Sequence, residues 1–141
     1  LKGATDIASM FVVKGKVLYM LENKDSKESY YDETNERRNL PVIVLIDGGS
    51  ASASEVLAGA LKDSYGATLV GKLSYGKGKV QQTNKLEDGS MVKYTIARWL
   101  RPNGECIDEI GIQPDYEVEL EQDEEGNFID TQLEKALELL S

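Results

Sequence analysis

Apolar positions fall into two rhythms along this 141-residue chain, one helical and one extended. Between Thr5 and Phe11, the side chains of Ile7, Ala8 and Phe11 share one helical face. The segment predicts the end of a helix, left through Val12-Val13 and Lys14-Gly15-Lys16. Val17-Leu18-Tyr19-Met20 then predicts a strand. Glu22 to Asn39 is polar and short of apolar anchors, which predicts a mobile excursion around a weak strand at Ser29-Tyr30-Tyr31. Pro41 opens a continuous apolar run, Val42 to Ile46, whose length predicts a central strand buried on both faces. From Ser52 to Lys62, Val56, Leu57, Ala60 and Leu61 recur at three-to-four spacing, the mark of a helix. Gly66 ends it and Thr68-Leu69-Val70 gives the next strand, completing a βαβ-type unit.

Downstream the rhythm becomes mostly extended. Val80 to Lys85 and Met91 to Arg98 flank Glu87-Asp88-Gly89-Ser90, a hairpin signal. Pro102-Asn103-Gly104 and Gln113-Pro114-Asp115 predict turns. Thr131 to Leu140 predicts a closing helix with Leu133, Ala136, Leu137 and Leu140 on one stripe. The fold class that follows is α/β, a mixed sheet around Val42–Ile46 flanked by helices, with a β-hairpin excursion. A length of 141 residues suits a single domain with a real core.

Charge narrows the partners. Sixteen basic against 25 acidic residues give a net charge of −9, which argues against a nucleic-acid or anionic-membrane surface. Eleven of the acidic residues lie between Glu105 and Asp130, a stretch without Lys or Arg that predicts a solvated acidic face. The single cysteine, Cys106, excludes an internal disulfide framework and offers no metal-ligand cluster. It reads as a packing or partly exposed strand residue. No apolar stretch approaches the ~20 residues of a membrane span.

The chemistry concentrates after the apolar run, at Gly48-Gly49-Ser50-Ala51-Ser52-Ala53-Ser54-Glu55. A serine where a buried strand gives way to a helix can be presented to a cleft, although the G-x-S-x-G signature is absent. Ser52-x-x-Glu55 also fits a capping box, and the two roles are compatible. A serine at a helix N-terminus sits beside free backbone N–H groups, of which Ala53 N–H is the natural oxyanion donor. Ser50 and Ser54 compete with Ser52. The chain has no histidine, so a serine nucleophile needs another base, and Cys106 has no imidazole to activate it. Lysine is the main alternative, provided that its amine is stripped of water and uncharged when the serine attacks. Lys77 stands between Gly76 and Gly78, whose missing side chains allow close backbone approach that could bury the amine tip against the serine. Lys72 and Lys79 remain open as alternatives.

These residues resemble the carboxyl-terminal processing (tail-specific) proteases. Gly49 to Glu55 resembles that family's nucleophile motif. Ala67-Thr68-Leu69-Val70-Gly71 and Ser74-Tyr75-Gly76-Lys77-Gly78-Lys79-Val80-Gln81 resemble its next strand and lysine loop. Asp6-Ile7-Ala8, Asp88-Gly89-Ser90, Ala97-Arg98, Pro102-Asn103-Gly104 and Gly111-Ile112-Gln113-Pro114-Asp115 match in the same order, so the likeness covers nearly the whole chain. It implies a crotonase-like fold, Ser52 as nucleophile, Lys77 as general base and Gln81 as the glutamine supporting the lysine. Ala53 N–H would be one oxyanion donor, and no cofactor or metal is expected. Asp63 matches an acidic position of some members. Eleven residues at ~1.5 Å rise put it roughly 16 Å from Ser52, so a structural role is expected. For Arg98 a structural charge is favoured over a contact with a substrate carboxylate.

Members of that family usually carry an upstream peptide-binding PDZ domain and an Asn-Pro-Gly-Gly-like turn. This chain starts about where that turn would end, so both are expected to be missing, along with the second oxyanion donor. The expectation is therefore a single protease core domain over residues 1–141, with low activity alone. It would cleave near protein C-termini, with exposed C-terminal tails as substrates. A homo-oligomer is an open possibility. The implied setting is extracytoplasmic, with membrane association only through regions outside this chain. Two competing functions stand beside it: a non-catalytic module binding peptides or apolar ligands on the same fold, and an assembly platform built on Glu22–Asn39 and the terminal helix.

Overall fold

The computed structural model describes residues 1–141. A short helix, α1 (Lys2–Ser9), leads into the antiparallel hairpin of β1 (Val17–Glu22) and β2 (Lys27–Tyr31). The predicted βαβ unit follows as β3 (Ile43–Ile46), α2 (Ala53–Ala60) and β4 (Thr68–Gly71), with β3 and β4 parallel. A π-helical turn, Leu61–Tyr65, prolongs α2, and Gly66 closes it at φ 87°. The second hairpin is β5 (Lys79–Lys85) and β6 (Met91–Leu100), and β7 (Tyr116–Glu117) joins β4 in parallel. A small ribbon, β8 (Glu121–Gln122) and β9 (Phe128–Ile129), precedes α3 (Thr131–Leu140).

Two main sheets result. One runs β2-β1-β6-β5 and is antiparallel; the other runs β3-β4-β7 and is parallel. Helix α2 serves two cores, because small and apolar residues occupy more than one of its sides. Val56 and Ala60 join Ala8, Val12, Leu18 and Tyr19, whereas Ala58 joins Ile46, Leu69 and Ile112. A helix apolar on several sides is stable only where it is enclosed. Its N-terminus is thereby fixed between the sheets, where Ser52 lies.

Asp63 and Arg101 secure the far end of this helical stretch. The Arg101 guanidinium donates to both Asp63 oxygens, at 3.1 and 2.6 Å, and to Glu105 at 2.5 Å. Both members of the pair are about nine-tenths buried, so its role is to hold the end of β6 against the π-helical turn. The expected structural role for Asp63 agrees with this geometry.

Three expectations need correction. Val42–Ile46 is not a central strand: β3 is the edge of its sheet and Leu45 is 43% exposed. An apolar run reports capacity for burial, not the presence of a neighbour. Gln113-Pro114-Asp115 forms no turn but only a bend at Asp115 leading into β7, because Asp115 is stitched to β4. Asp115 N–H donates to the Leu69 carbonyl at 2.8 Å and its carboxylate accepts from Leu69 N–H at 2.8 Å. The actual turn lies at Asp108–Ile110. On α3 only Ala136 is buried, while Leu133, Leu137 and Leu140 stay exposed.

Candidate active site

The apolar strand β3 stops at Asp47, and the chain must reverse to start α2. Asp47 shapes that reversal by accepting from Gly49 N–H at 2.8 Å. Ser50 is absorbed by the same turn: its Oγ accepts from Asp47 N–H at 3.1 Å and lies 3.4 Å from the Asp47 carboxylate. Ser52 is different. It is the N-cap residue of α2 and sits at φ 56°, ψ −116°, a conformation that L-residues rarely adopt. Such strain costs about 1–3 kcal/mol and persists where surrounding structure imposes it, commonly at functional sites. Ser54 is exposed and lies within the helix. Of the three serines, only Ser52 combines a strained backbone with a place at the helix N-terminus.

The strain yields a prediction. Ser52→Gly should be more stable than Ser52→Ala by about 1–2 kcal/mol, because glycine tolerates positive φ and alanine does not. Thermal unfolding of the two variants measures this, and equal midpoints would mean that the elbow is unstrained.

Ser52 and Glu55 hold capping-box positions, closed from the glutamate side. Glu55 Oε2 accepts from Ser52 N–H at 2.9 Å, and Glu55 N–H meets the Ser52 carbonyl at 2.9 Å. The Ser52 hydroxyl forms no cap hydrogen bond of its own. Ala53 N–H, the first of the helix, donates to nothing within the protein, so it is available to a ligand oxygen.

Glu55 does more than cap. It is fully buried, at 0% exposure, and four donors converge on it. Besides Ser52 N–H, Oε2 accepts from Lys77 N–H at 2.9 Å; Oε1 accepts from Gly76 N–H at 2.6 Å and from the Ser74 hydroxyl at 2.5 Å. Ser74 Oγ in turn accepts from Ile112 N–H at 2.7 Å. With Ser74's lone pair occupied by Ile112, its proton goes to Glu55, so every group facing the carboxylate is a donor. Both carboxylate oxygens therefore act only as acceptors here. Tyr75 N–H adds a bond to the Ser50 carbonyl at 2.9 Å. Three successive amides, of Tyr75, Gly76 and Lys77, therefore tie the lysine loop to the serine elbow.

The glycines flanking Lys77 permit this. A Cβ on Gly78 would come within 2.3 Å of Asp108 N, and one on Gly76 (φ +84°) within 3.1 Å of Gly111 N. The expected close backbone approach is present, made by the Asp108–Gly111 segment. Burial of the amine is not: Lys77 is exposed, and no hydrogen bond joins its Nζ to Ser52. The glycines bury the loop's backbone and leave the side chain pointing off it.

The other two lysines are engaged. Lys79 Nζ bonds Glu109 at 2.8 Å and lies 3.6 Å from Asp108. The hydrogen bond that Lys79 donates to Glu109, then the fields of both carboxylates, hold the Lys79 ammonium above its ordinary range, and Lys79 holds Glu109 below its own. Lys72 is likewise paired with Glu117, at 3.1 Å, and with Glu119. Both remain cations, whereas Lys77 carries no ion pair.

Gly48, Gly49, Ala51, Tyr75, Gly76, Lys77, Lys79, Gln81, Asp108 and Glu109 line a cleft of about 610 Å³. Gln81 therefore shares the cleft with Lys77 and stands four residues on, within β5. Arg98 is exposed beside Lys79 across the β5–β6 ladder, away from the cleft lining. Sequence reasoning recognised Glu55 only as a cap. Its spacing from Ser52 was a signal for the cap bond alone, since the Ser74, Gly76 and Lys77 bonds arise from segments about 20 residues away. The contributions of Ser74 and Glu109 had no separate signal. Glu109 also stands at positive φ (60°) on the cleft wall.

Comparison with known proteins converges on one family. The sequence profile described as "Peptidase family S41" matches residues 1–118. The chain is 42% identical over 118 residues to a "Probable CtpA-like serine protease" of Staphylococcus haemolyticus, covering 82% of this chain and 24% of that protein. A protein of the same description from Staphylococcus aureus is 40% identical over 129 residues, covering 89% and 26%. The chain thus spans about a quarter of the length of these curated relatives. Among solved structures, the photosystem II D1 C-terminal processing protease superposes with a TM-score of 0.78 at 37% identity. That match covers 89% of this chain and 33% of the protease. The α/β fold is that of S41 peptidases.

Proposed function

This chain belongs to peptidase family S41, and from that premise we propose that it is the catalytic core of a serine endopeptidase working through a Ser52–Lys77 dyad. The observation that carries the reading is the Glu55 carboxylate, bonded at once to Ser52 N–H and Lys77 N–H. One buried anchor sets the two backbones side by side, with Lys77 in the cleft lining and Ser52 directly behind Ala51, which also lines it.

In the proposed reaction, uncharged Lys77 Nζ accepts the Ser52 proton as Oγ attacks the scissile carbonyl carbon. Ala53 N–H stabilises the resulting oxyanion. Collapse breaks the C–N bond, the leaving amine takes the proton from Lys77, and an acyl-serine ester remains. Water, deprotonated by Lys77, then attacks the ester and releases the carboxylic acid and free Ser52. Gln81 orients the lysine from the neighbouring strand.

Because Lys77 is exposed here, its dehydration is assigned to substrate and to further chain closing over the cleft. The free edge of β3 and exposed Leu45 support such further chain. Residues 1–141 would then form one protease core domain, weakly active alone. The substrates are proteins with exposed C-terminal tails, cut near their C-termini, in an extracytoplasmic compartment. No helix of this chain is long and apolar enough to cross a membrane.

The deciding experiment treats the full-length protein with a serine-directed phosphonate and maps the adduct by peptide mass spectrometry. Modification is expected at Ser52, with Ser50 and Ser54 unmodified. A protein that binds peptides or apolar ligands yet gains no adduct would instead be a non-catalytic module on the same fold.

A further inference from the structure

Strand β5 is an edge strand, and it leads directly out of the candidate active site. Lys77, Lys79 and Gln81 line the cleft, and the rest of β5 runs away from it to Lys85. The register with β6 settles which backbone groups face the open edge. Leu86 N–H donates to the Ser90 carbonyl at 2.8 Å, which makes Leu86–Ser90 a hydrogen-bonded rung. The pairing then continues without interruption through Lys85–Met91, Asn84–Val92, Thr83–Lys93, Gln82–Tyr94 and Gln81–Thr95.

Antiparallel rungs alternate between bonded and non-bonded pairs. Gln82 and Asn84 therefore spend their backbone groups on β6, whereas Gln81, Thr83 and Lys85 turn theirs outward. The alternation leaves the N–H groups of those three residues on the open edge, and no side chain of the protein accepts from them. An open edge of this kind is a template for another strand, and proteins usually blunt such edges. Here no proline or covering element does so: every residue of β5 except Val80 is exposed. The far edge of β6 is also open near the hairpin tip, but it borders a separate notch lined by Glu22, Asn23 and Lys24.

We infer that the free edge of β5 is the rail on which substrate docks. An extended segment of the polypeptide flanking the scissile bond adds to the sheet as a fifth strand, bonded to the backbones of Gln81, Thr83 and Lys85. The inference rests on the peptidase reading and deepens it. Gln81 begins the rail inside the cleft, so a strand seated there delivers its next residues to Ser52 and Lys77. Backbone pairing reads few side chains, so the rail accepts tails of unrelated sequence; any preference must come from the cleft.

The test tethers a substrate strand through Ser52. The full-length protein is labelled with a peptidyl phosphonate of about six residues or with a small alkyl phosphonate, and amide exchange is followed by NMR. The peptidyl adduct is expected to slow exchange at Gln81, Thr83 and Lys85 at least about tenfold, with Gln82 and Asn84 protected in both adducts. Equal exchange in the two adducts overturns the rail while leaving the peptidase reading intact. Absence of any adduct at Ser52 strikes the peptidase reading itself.

Proline substitutions give a second readout. Thr83→Pro removes an outward N–H and should raise KM about tenfold or more, whereas Lys93→Pro, on the same rung but the opposite edge, should not. Equal effects from both would mean only that the hairpin was damaged, and would also overturn the rail.

Discussion

Lys77→Ala in the full-length protein is expected to lower kcat for peptide cleavage by about 10²–10⁴-fold, with KM little changed. The size follows from what general-base catalysis contributes when no other group can take the proton. Neither neighbouring lysine can stand in. Lys79 is held as a cation by Glu109 at 2.8 Å, and Lys72 is paired with Glu117 and Glu119. The chain has no histidine to substitute for them. Lys77→Arg gives no rescue, because a guanidinium does not deprotonate in proteins. Ser52→Ala and the Ser52→Ala/Lys77→Ala double variant should be nearly equal in residual rate, as the proposed dyad requires of residues acting as a unit. Steady-state kinetics on a peptide substrate decides the matter. Cleavage persisting at the parental rate in Lys77→Ala would remove the amine from the mechanism.

Glu55→Ala is expected to destabilise the fold by about 3–5 kcal/mol, because it leaves several buried donors without an acceptor at about 1–3 kcal/mol each. Against a typical total of about 5–15 kcal/mol this is a large loss. Glu55→Gln separates position from stability. Its amide is close in size, but one end becomes a donor facing donors, since all four partners of the carboxylate donate. The cost falls to about 1–3 kcal/mol, so the protein still folds. Whichever way the amide turns, either the Ser52–Lys77 pair or the Ser74–Gly76 pair loses its acceptor. The lysine loop then detaches from the elbow on one side, and kcat should fall more than tenfold, as displacement of about 1 Å in a reacting group can do. Chemical denaturation and kinetics on the same variant measure both effects. A Gln variant with parental kcat would show that the loop holds its geometry through Gly76–Glu109 and Gly78–Trp99 backbone bonds alone.

Much of this molecule can be read along the chain. The strand–helix–strand order at Val42–Val70, the hairpin around Asp88-Gly89 and the terminal helix are local consequences of periodicity and turn chemistry, and all are present. The serine elbow was legible for the same reason, since its strand, Gly-Gly turn and capping box are contiguous. What failed were readings that depended on which neighbour a segment finds. Val42–Ile46 has the composition of a central strand yet lies at an edge, and the stripe on α3 is largely exposed. Gln113-Pro114-Asp115 looks like a turn, but Asp115 spends its hydrogen bonds on Leu69, held further by Lys62 at 2.7 Å.

By itself the sequence determined the class of fold, the candidate serine and lysine, and the exclusion of imidazole chemistry, because composition and short-range spacing suffice for these. Tertiary structure added what sets these candidates apart from their neighbours, strain at φ 56° on Ser52 and the engagement of Ser50, Lys79 and Lys72 by Asp47, Glu109 and Glu117, because these depend on contacts. It also revealed Glu55 as the bond between elbow and loop. A buried carboxylate with four donors can be assembled only when segments about 20 residues apart in sequence fold onto one point.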